Sequence, residues 1–158
     1  PDSWENGDVV VEKAFETEAS GSSSMKAKLE AGIYRVILES KDAFGNDIHA
    51  QTTIRVYDPD AKNFVIHVPV QVESPSWSAE PGKSFMGLWG SGYDKARAFV
   101  EIVHRNQTLV EYWTEPGRTQ SLIEYDVDEK LRGGFHVNVT MIRENRAYTT
   151  LRKVEVPW

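Results

Sequence analysis

Gly133-Gly134-Phe135-His136-Val137-Asn138-Val139 is the stretch whose reading decides the fold, because the chain has already used the same phrase at Gly32-Ile33-Tyr34-Arg35-Val36-Ile37-Leu38. In each copy a glycine turn leads into alternating large residues. A polar turn follows (Asp42-Ala43-Phe44-Gly45-Asn46 in the first, Arg143-Glu144-Asn145-Arg146 in the second), and then a strand-like closing run. That pattern predicts a hairpin closing each of two units. The copies lie about 100 residues apart, which is the size of one immunoglobulin-like β-sandwich, so the repeat points to modules in series.

Working outward, nearly every structured run alternates with a period of two, which predicts strands. In the first unit the runs are 9–17, 25–29, 33–40 and 48–57. The first of them places Val9, Val11 and Phe15 on one side but carries Lys13 in the same register. Ser20-Gly21-Ser22-Ser23-Ser24 is a loop. Asp58-Pro59-Asp60 then punctuates the chain, since proline lacks a ladder donor and restricts its predecessor, and the module boundary is placed there. The expected domains are 1–60 and 61–158. The second offers runs at 64–72, 83–89, 97–104, 108–114, 119–126, 135–142 and 147–156, separated by turn signals such as Pro81-Gly82, Arg105-Asn106 and Glu115-Pro116-Gly117. Seven short strands in a unit of this size are the signature of a sandwich. The fold expectation is therefore all-β: two tandem immunoglobulin/fibronectin-like antiparallel sandwiches, the first incomplete because only four strands precede the boundary. The nearest approach to a helix is a single turn within 126–131, with Asp126 as its cap. Folds that host most cofactor chemistry need crossover helices, and none is predicted.

Composition narrows the function classes. The 158 residues carry 18 Lys and Arg against 24 Asp and Glu, a net charge of -6, with the basic residues scattered among acids. Phosphate recognition needs them clustered, so nucleic-acid binding is not expected. There is no cysteine, which removes disulfides, thiolate metal sites and cysteine nucleophiles. No apolar stretch reaches the length that crosses a bilayer, so no membrane insertion is expected within this segment.

The candidate chemical sites are weak. His49, His67, His104 and His136 are too far apart for a local metal-ligand pair. The oxygen-rich run 58–63 lacks the glycine and distal glutamate of a calcium loop and reads as a linker turn. Gly87-Leu88-Trp89-Gly90-Ser91-Gly92 precedes no helix and reads as a strand end rather than a phosphate cradle, with Trp89 in the core. Asp94 with Glu101, and Glu124 with Asp126, are ordinary surface acids. No catalytic residue, cofactor or metal is assigned, and the chain is not expected to be an enzyme. Trp4, Trp77, Trp113 and Trp158 sit near segment ends, where an aromatic packs an intermodule seam or forms a binding platform. The expected seam residues are Trp77, Tyr57, Asp58 and Trp113.

Through Pro81-Gly82-Lys83, Leu88-Trp89-Gly90-Ser91-Gly92-Tyr93, Arg97-Ala98-Phe99-Val100-Glu101-Ile102, Tyr112-Trp113 and 134–148, the second unit resembles bacterial α2-macroglobulin-like proteins. It looks like the macroglobulin-type domain near the start of the bait-region segment in that family, and Leu29-Glu30-Ala31-Gly32-Ile33-Tyr34-Arg35-Val36 with 42–46 resembles the closing strands of the preceding domain. The resemblance implies a secreted or periplasmic protein that traps proteases after they cut an exposed bait segment. Its thioester motif, Cys-x-Glu-Gln, cannot occur in a chain without cysteine, so the resemblance implies scaffold function alone. The implied partners are neighbouring domains of the same polypeptide and, through the full-length protein, target proteases. The implied location is periplasmic or extracellular at the cell envelope. A carbohydrate- or protein-binding module of a cell-surface protein is the alternative.

Overall fold

A computed structural model describes residues 4–158, which divide into two compact units with the boundary between Asp58 and Pro59. All the strand pairing within sheets is antiparallel.

In the first unit the repeated phrase forms β1 (Gly32–Lys41), which pairs with β2 (Asp47–Val56) from Gly32↔Val56 to Lys41↔Asp47. Its register puts Tyr34, Val36 and Leu38 on one face with Ile48, Ala50, Ile54 and Val56, while Arg35, Glu39, His49 and Arg55 lie on the other. This amphipathic ribbon is predicted correctly, but the strands expected at 9–17 and 25–29 do not form. The physical reason is visible in the first of them: Glu12, Lys13, Glu16 and Glu18 charge both faces, and three consecutive valines break the period of two. Val9 is left 79% exposed, and Lys13 Nζ donates to Lys26 O at 2.7 Å in place of any ladder. The apolar ribbon face is correspondingly open, with Val36, Leu38 and Ile48 exposed. A two-stranded ribbon with one uncovered face is marginal by itself.

The turn between β1 and β2 is held by one carboxylate. Asp42 Oδ1 accepts from the amides of Phe44 and Asn46, and Oδ2 accepts from Asn46 Nδ2, each at 2.8 Å. The Asn46 side chain, followed by its amide, holds the carboxyl below its ordinary value of 3.8. A depressed pKa in the folded turn means that this support is present above the ordinary value and is lost as pH falls through the depressed one. Amide exchange at Phe44 and Asn46 is therefore expected to accelerate selectively in acid, below about pH 4. In Asp42→Asn the acid step should vanish, and an unchanged step in that variant would assign it to another group.

The second unit is a sandwich of three strands on four. One sheet has the order β3 (Gln71–Glu73), β4 (Ser84–Gly90), β7 (Gln120–Asp126); the other runs β6 (Gln107–Trp113), β5 (Ala98–His104), β8 (Phe135–Arg143), β9 (Arg146–Val154). This is an immunoglobulin/fibronectin-like arrangement. Alternation does the sorting: Phe135, Val137, Val139 and Met141 of β8 are buried with Ala98, Val100 and Ile102 of β5, against Phe85, Trp89 and Ile123 of the facing sheet. Phe135 bridges the two sheets: its ring stands edge-on to Phe85 at 5.8 Å and lies 5.5 Å from Tyr125. Two tight hairpins carry positive φ at both central residues, Arg105-Asn106 and Glu144-Asn145, the geometry whose twist matches the flanking strands.

Two expectations are corrected here. The run 64–72 is not one strand: pairing begins only at Gln71, after Pro69 has removed a ladder donor. The segment before it straps across the sandwich instead, with Phe64 filling the space beside Gly90, where a Cβ would lie 2.2 Å from the ring. Lys62 O accepts from the amides of Thr119 and Gln120, and Phe64 N donates to Thr119 Oγ1. The single helical turn, Glu129–Leu131, is capped by Asp128 rather than Asp126, because Asp128 Oδ1 reaches the Lys130 amide at 2.9 Å while Asp126 accepts from Ser84 Oγ.

Candidate functional site

Three connections meet at one end of the sandwich: 91–97 entering β5, 114–119 between β6 and β7, and the tight turn between β8 and β9. Because β6 ends where β5 begins, the pairing Phe99↔Trp113 brings both rings to the same face, 5.3 Å apart and tilted by 48°. Arg97 follows the backbone into this corner. Its Nε donates to Thr114 O at 2.9 Å, which sets the guanidinium over the Trp113 ring at 5.5 Å. Thr114 is itself fixed, buried with its hydroxyl accepting from the Ala98 amide. Arg143, the last residue of β8, lies over Tyr93 at 5.8 Å, and Tyr93 and Tyr148 share a hydroxyl hydrogen bond of 3.0 Å. That bond, followed by burial, raises the Tyr93 phenol above its ordinary value.

Two clefts open here. One, of about 450 Å³, is lined by Pro59, Tyr112, Trp113, Glu115, Arg118 and Leu122 among others. The other, of about 490 Å³, lies among Arg97, Trp113, Pro116, Arg118, Ile142 and Arg143, with Asp94 and Lys95 at its margin. Trp113 and Arg118 line both. The Nε atoms of Arg118 and Arg143 are buried and lack a hydrogen-bond partner. Arg118 reaches Glu115 only through Nη1, at 3.3 Å, an exposed pair of small energetic weight.

The seam residues expected from sequence fall in different settings. Trp113 is 53% exposed and forms the platform just described. Trp77 is half-buried against the core of its own unit, 5.7 Å from Phe85 and with Arg152 over its ring at 5.9 Å. Tyr57 and Asp58 follow β2 at the end of the first unit. The four histidines do not gather at one site: His49 lies 3.7 Å from Glu39, His67 is exposed on the strap, His104 Nδ1 is 2.8 Å from Gly134 O, and His136 pairs with Val103 on the neighbouring strand. Among the described residues no group of three or more His, Asp or Glu side chains is placed to hold a metal. The surface acids are likewise occupied separately, Glu101 by Asn138 Nδ2 and Asp126 by Ser84.

Sequence reasoning singled out Trp113 but not its arginines. Arg97, Arg118 and Arg143 are 46 residues apart from first to last, and only the strand pairing gathers them. Their one shared signal is position, since each sits at or beside a strand end next to a turn.

No family model matches the chain, and no curated protein aligns with it. Among solved structures the chain is similar to the rat CD45 extracellular region, domains d3-d4, at 14% identity and a TM-score of 0.33, covering 97% of this chain and 84% of that one. The sandwich fold is read from the sheet order itself.

Proposed function

We propose that this chain is a non-catalytic structural part, a scaffold segment of a secreted or periplasmic α2-macroglobulin-like protease inhibitor. The observation that carries the reading is that the second unit ties down both of its own ends. On the incoming side, the strap over 59–70 is fixed by Phe64 beside Gly90, by the Lys62 carbonyl and by Ser91 Oγ donating to Pro69 O. On the outgoing side, Glu155 N donates to Trp77 O and Ala79 N to Glu155 O, while Gly133 N donates to Val156 O. A module that serves only as a tether leaves its ends loose; one that transmits position needs them anchored to a packed core. The resemblance in 81–148 supplies the specific context.

The test uses the full-length polypeptide that carries this segment. Challenged with proteases, it is expected to be cut outside 59–158 and to leave the protease active on small peptide substrates while blocked on large protein substrates. A protease that keeps cleaving protein substrates after the challenge overturns the inhibitor reading. A binding role is the second reading, favoured by the exposed cleft around Trp113.

A further inference from the structure

We infer that the cleft between Trp113 and Ile142 docks an acidic polypeptide segment, one that presents an Asp or Glu carboxylate beside an apolar side chain. The inference goes beyond the scaffold reading and stands without it.

Three observations converge. The cleft is lined by two guanidinium groups, those of Arg118 and Arg143, whose planar donor forks suit a carboxylate in bidentate form. It also holds unmet apolar surface. Ile142 is 68% exposed and Trp113 53% exposed, beside Pro116, and a cluster of tryptophan, arginine and aliphatic surface is the composition of a binding hot spot. Its charge is positive on a unit that is otherwise nearly neutral. Lys95, Arg97, Arg118 and Arg143 gather at one end of the sandwich, with Asp94, Glu115 and Glu144 as the adjoining acids. A locally positive cleft attracts an acidic partner to this end.

The same features select polypeptide over saccharide. A sugar ring stacks on a free aromatic face, and Trp113 already carries the Arg97 guanidinium. Sugar hydroxyls need acceptors as well as donors, and Asp94 alone among the lining side chains offers a carboxylate to this cleft. The cleft volume of about 490 Å³ suits one or two side chains of an extended segment.

The experiment is fluorescence anisotropy on the 158-residue chain with two labelled peptides, acidic DLEDLE and its charge-reversed counterpart KLKKLK. The acidic peptide is expected to bind at least about tenfold more tightly than the basic one, and to weaken as salt rises. The double variant R118Q/R143Q and the single variant W113A should each weaken it by about tenfold or more, while R152Q, beside Trp77, leaves it unchanged. Circular dichroism checks that each variant is folded. Should R118Q/R143Q fail to fold, amide and indole shift mapping on the unaltered chain decides instead, with the largest changes expected at Trp113 and Ile142. Equal binding of the two peptides overturns the inference. So does indifference to the arginine substitutions in a folded variant, or binding of a heparin-derived tetrasaccharide with no binding of the acidic peptide.

Discussion

Gly134→Ala is expected to destabilise the second unit by roughly 3 kcal/mol or more, whereas Gly32→Ala, in the glycine turn of the first copy of the repeated phrase, is expected to change little. The two glycines belong to similar turns in sequence and are not equivalent in space. Gly134 has φ +102, a region that L side chains rarely adopt, and a Cβ there would lie 2.4 Å from Val154 O. The neighbouring backbone has nowhere to go. Gly134 N is bonded to Leu131 O, Gly134 O faces His104, and the Phe135↔Val154 pair that follows begins the hairpin. An added methyl therefore pushes directly on the first rung of β8–β9, next to the fully buried ring of Phe135. Gly32 has no positive φ, and a Cβ there meets only the Tyr34 ring at 3.5 Å, an ordinary contact. Urea denaturation followed by far-UV circular dichroism measures both. A Gly134→Ala protein within about 0.5 kcal/mol of the parent would show that the strand start can shift to relieve the clash.

That contrast also marks how far the sequence could be read. Period-two alternation located β4 to β9 and the β1–β2 ribbon, because in each the apolar positions already specify one face: Phe135, Val137, Val139 and Met141 have no other way to be buried together. It failed at 9–17, where three adjacent valines satisfy a strand propensity but not a face. It failed again at 64–70 for a different reason. Phe64 and Ile66 are buried, as a strand reading requires, but their burial is against Gly90 and the sandwich end, through a contact distant in sequence. Cap assignment erred by one step, choosing Asp126 over Asp128, since both carboxylates precede the turn and only Ser84 across the β4–β7 pair distinguishes them.

The candidate cleft was less legible still. An aromatic near a strand end is visible in a sequence, and Trp113 was. The charge that defines its surroundings is not, because Arg97 and Arg118 come from two different connections and Arg143 from the end of β8, and they are separated by acids along the chain. Net charge averages such a patch away. Its recovery needs the register that pairs Phe99 with Trp113 on one side and with Thr140 on the other.

Trp89→Ala should unfold the second unit more completely than any surface change, with a loss of about 3–5 kcal/mol. Trp89 is fully buried in β4, paired with Val72 on one side and Ser121 on the other, and belongs to the cluster that joins both sheets. Truncation leaves a cavity in that cluster which the surrounding strands, fixed by their ladders, cannot close. Trp89→Phe should behave quite differently. The indole Nε1 is buried without a hydrogen-bond partner, and an unmet buried donor costs about 1–3 kcal/mol. Phenylalanine removes that donor while keeping most of the apolar volume, so its packing loss is partly offset and the net effect should be less than half that of alanine. The ratio of the two values, taken from urea midpoints of folded variants, is the informative quantity. Equal losses would mean that the indole N–H is satisfied in solution, by water or by a shift of its neighbours, and that Trp89 holds the sheets together through a polar contact as well as through its volume.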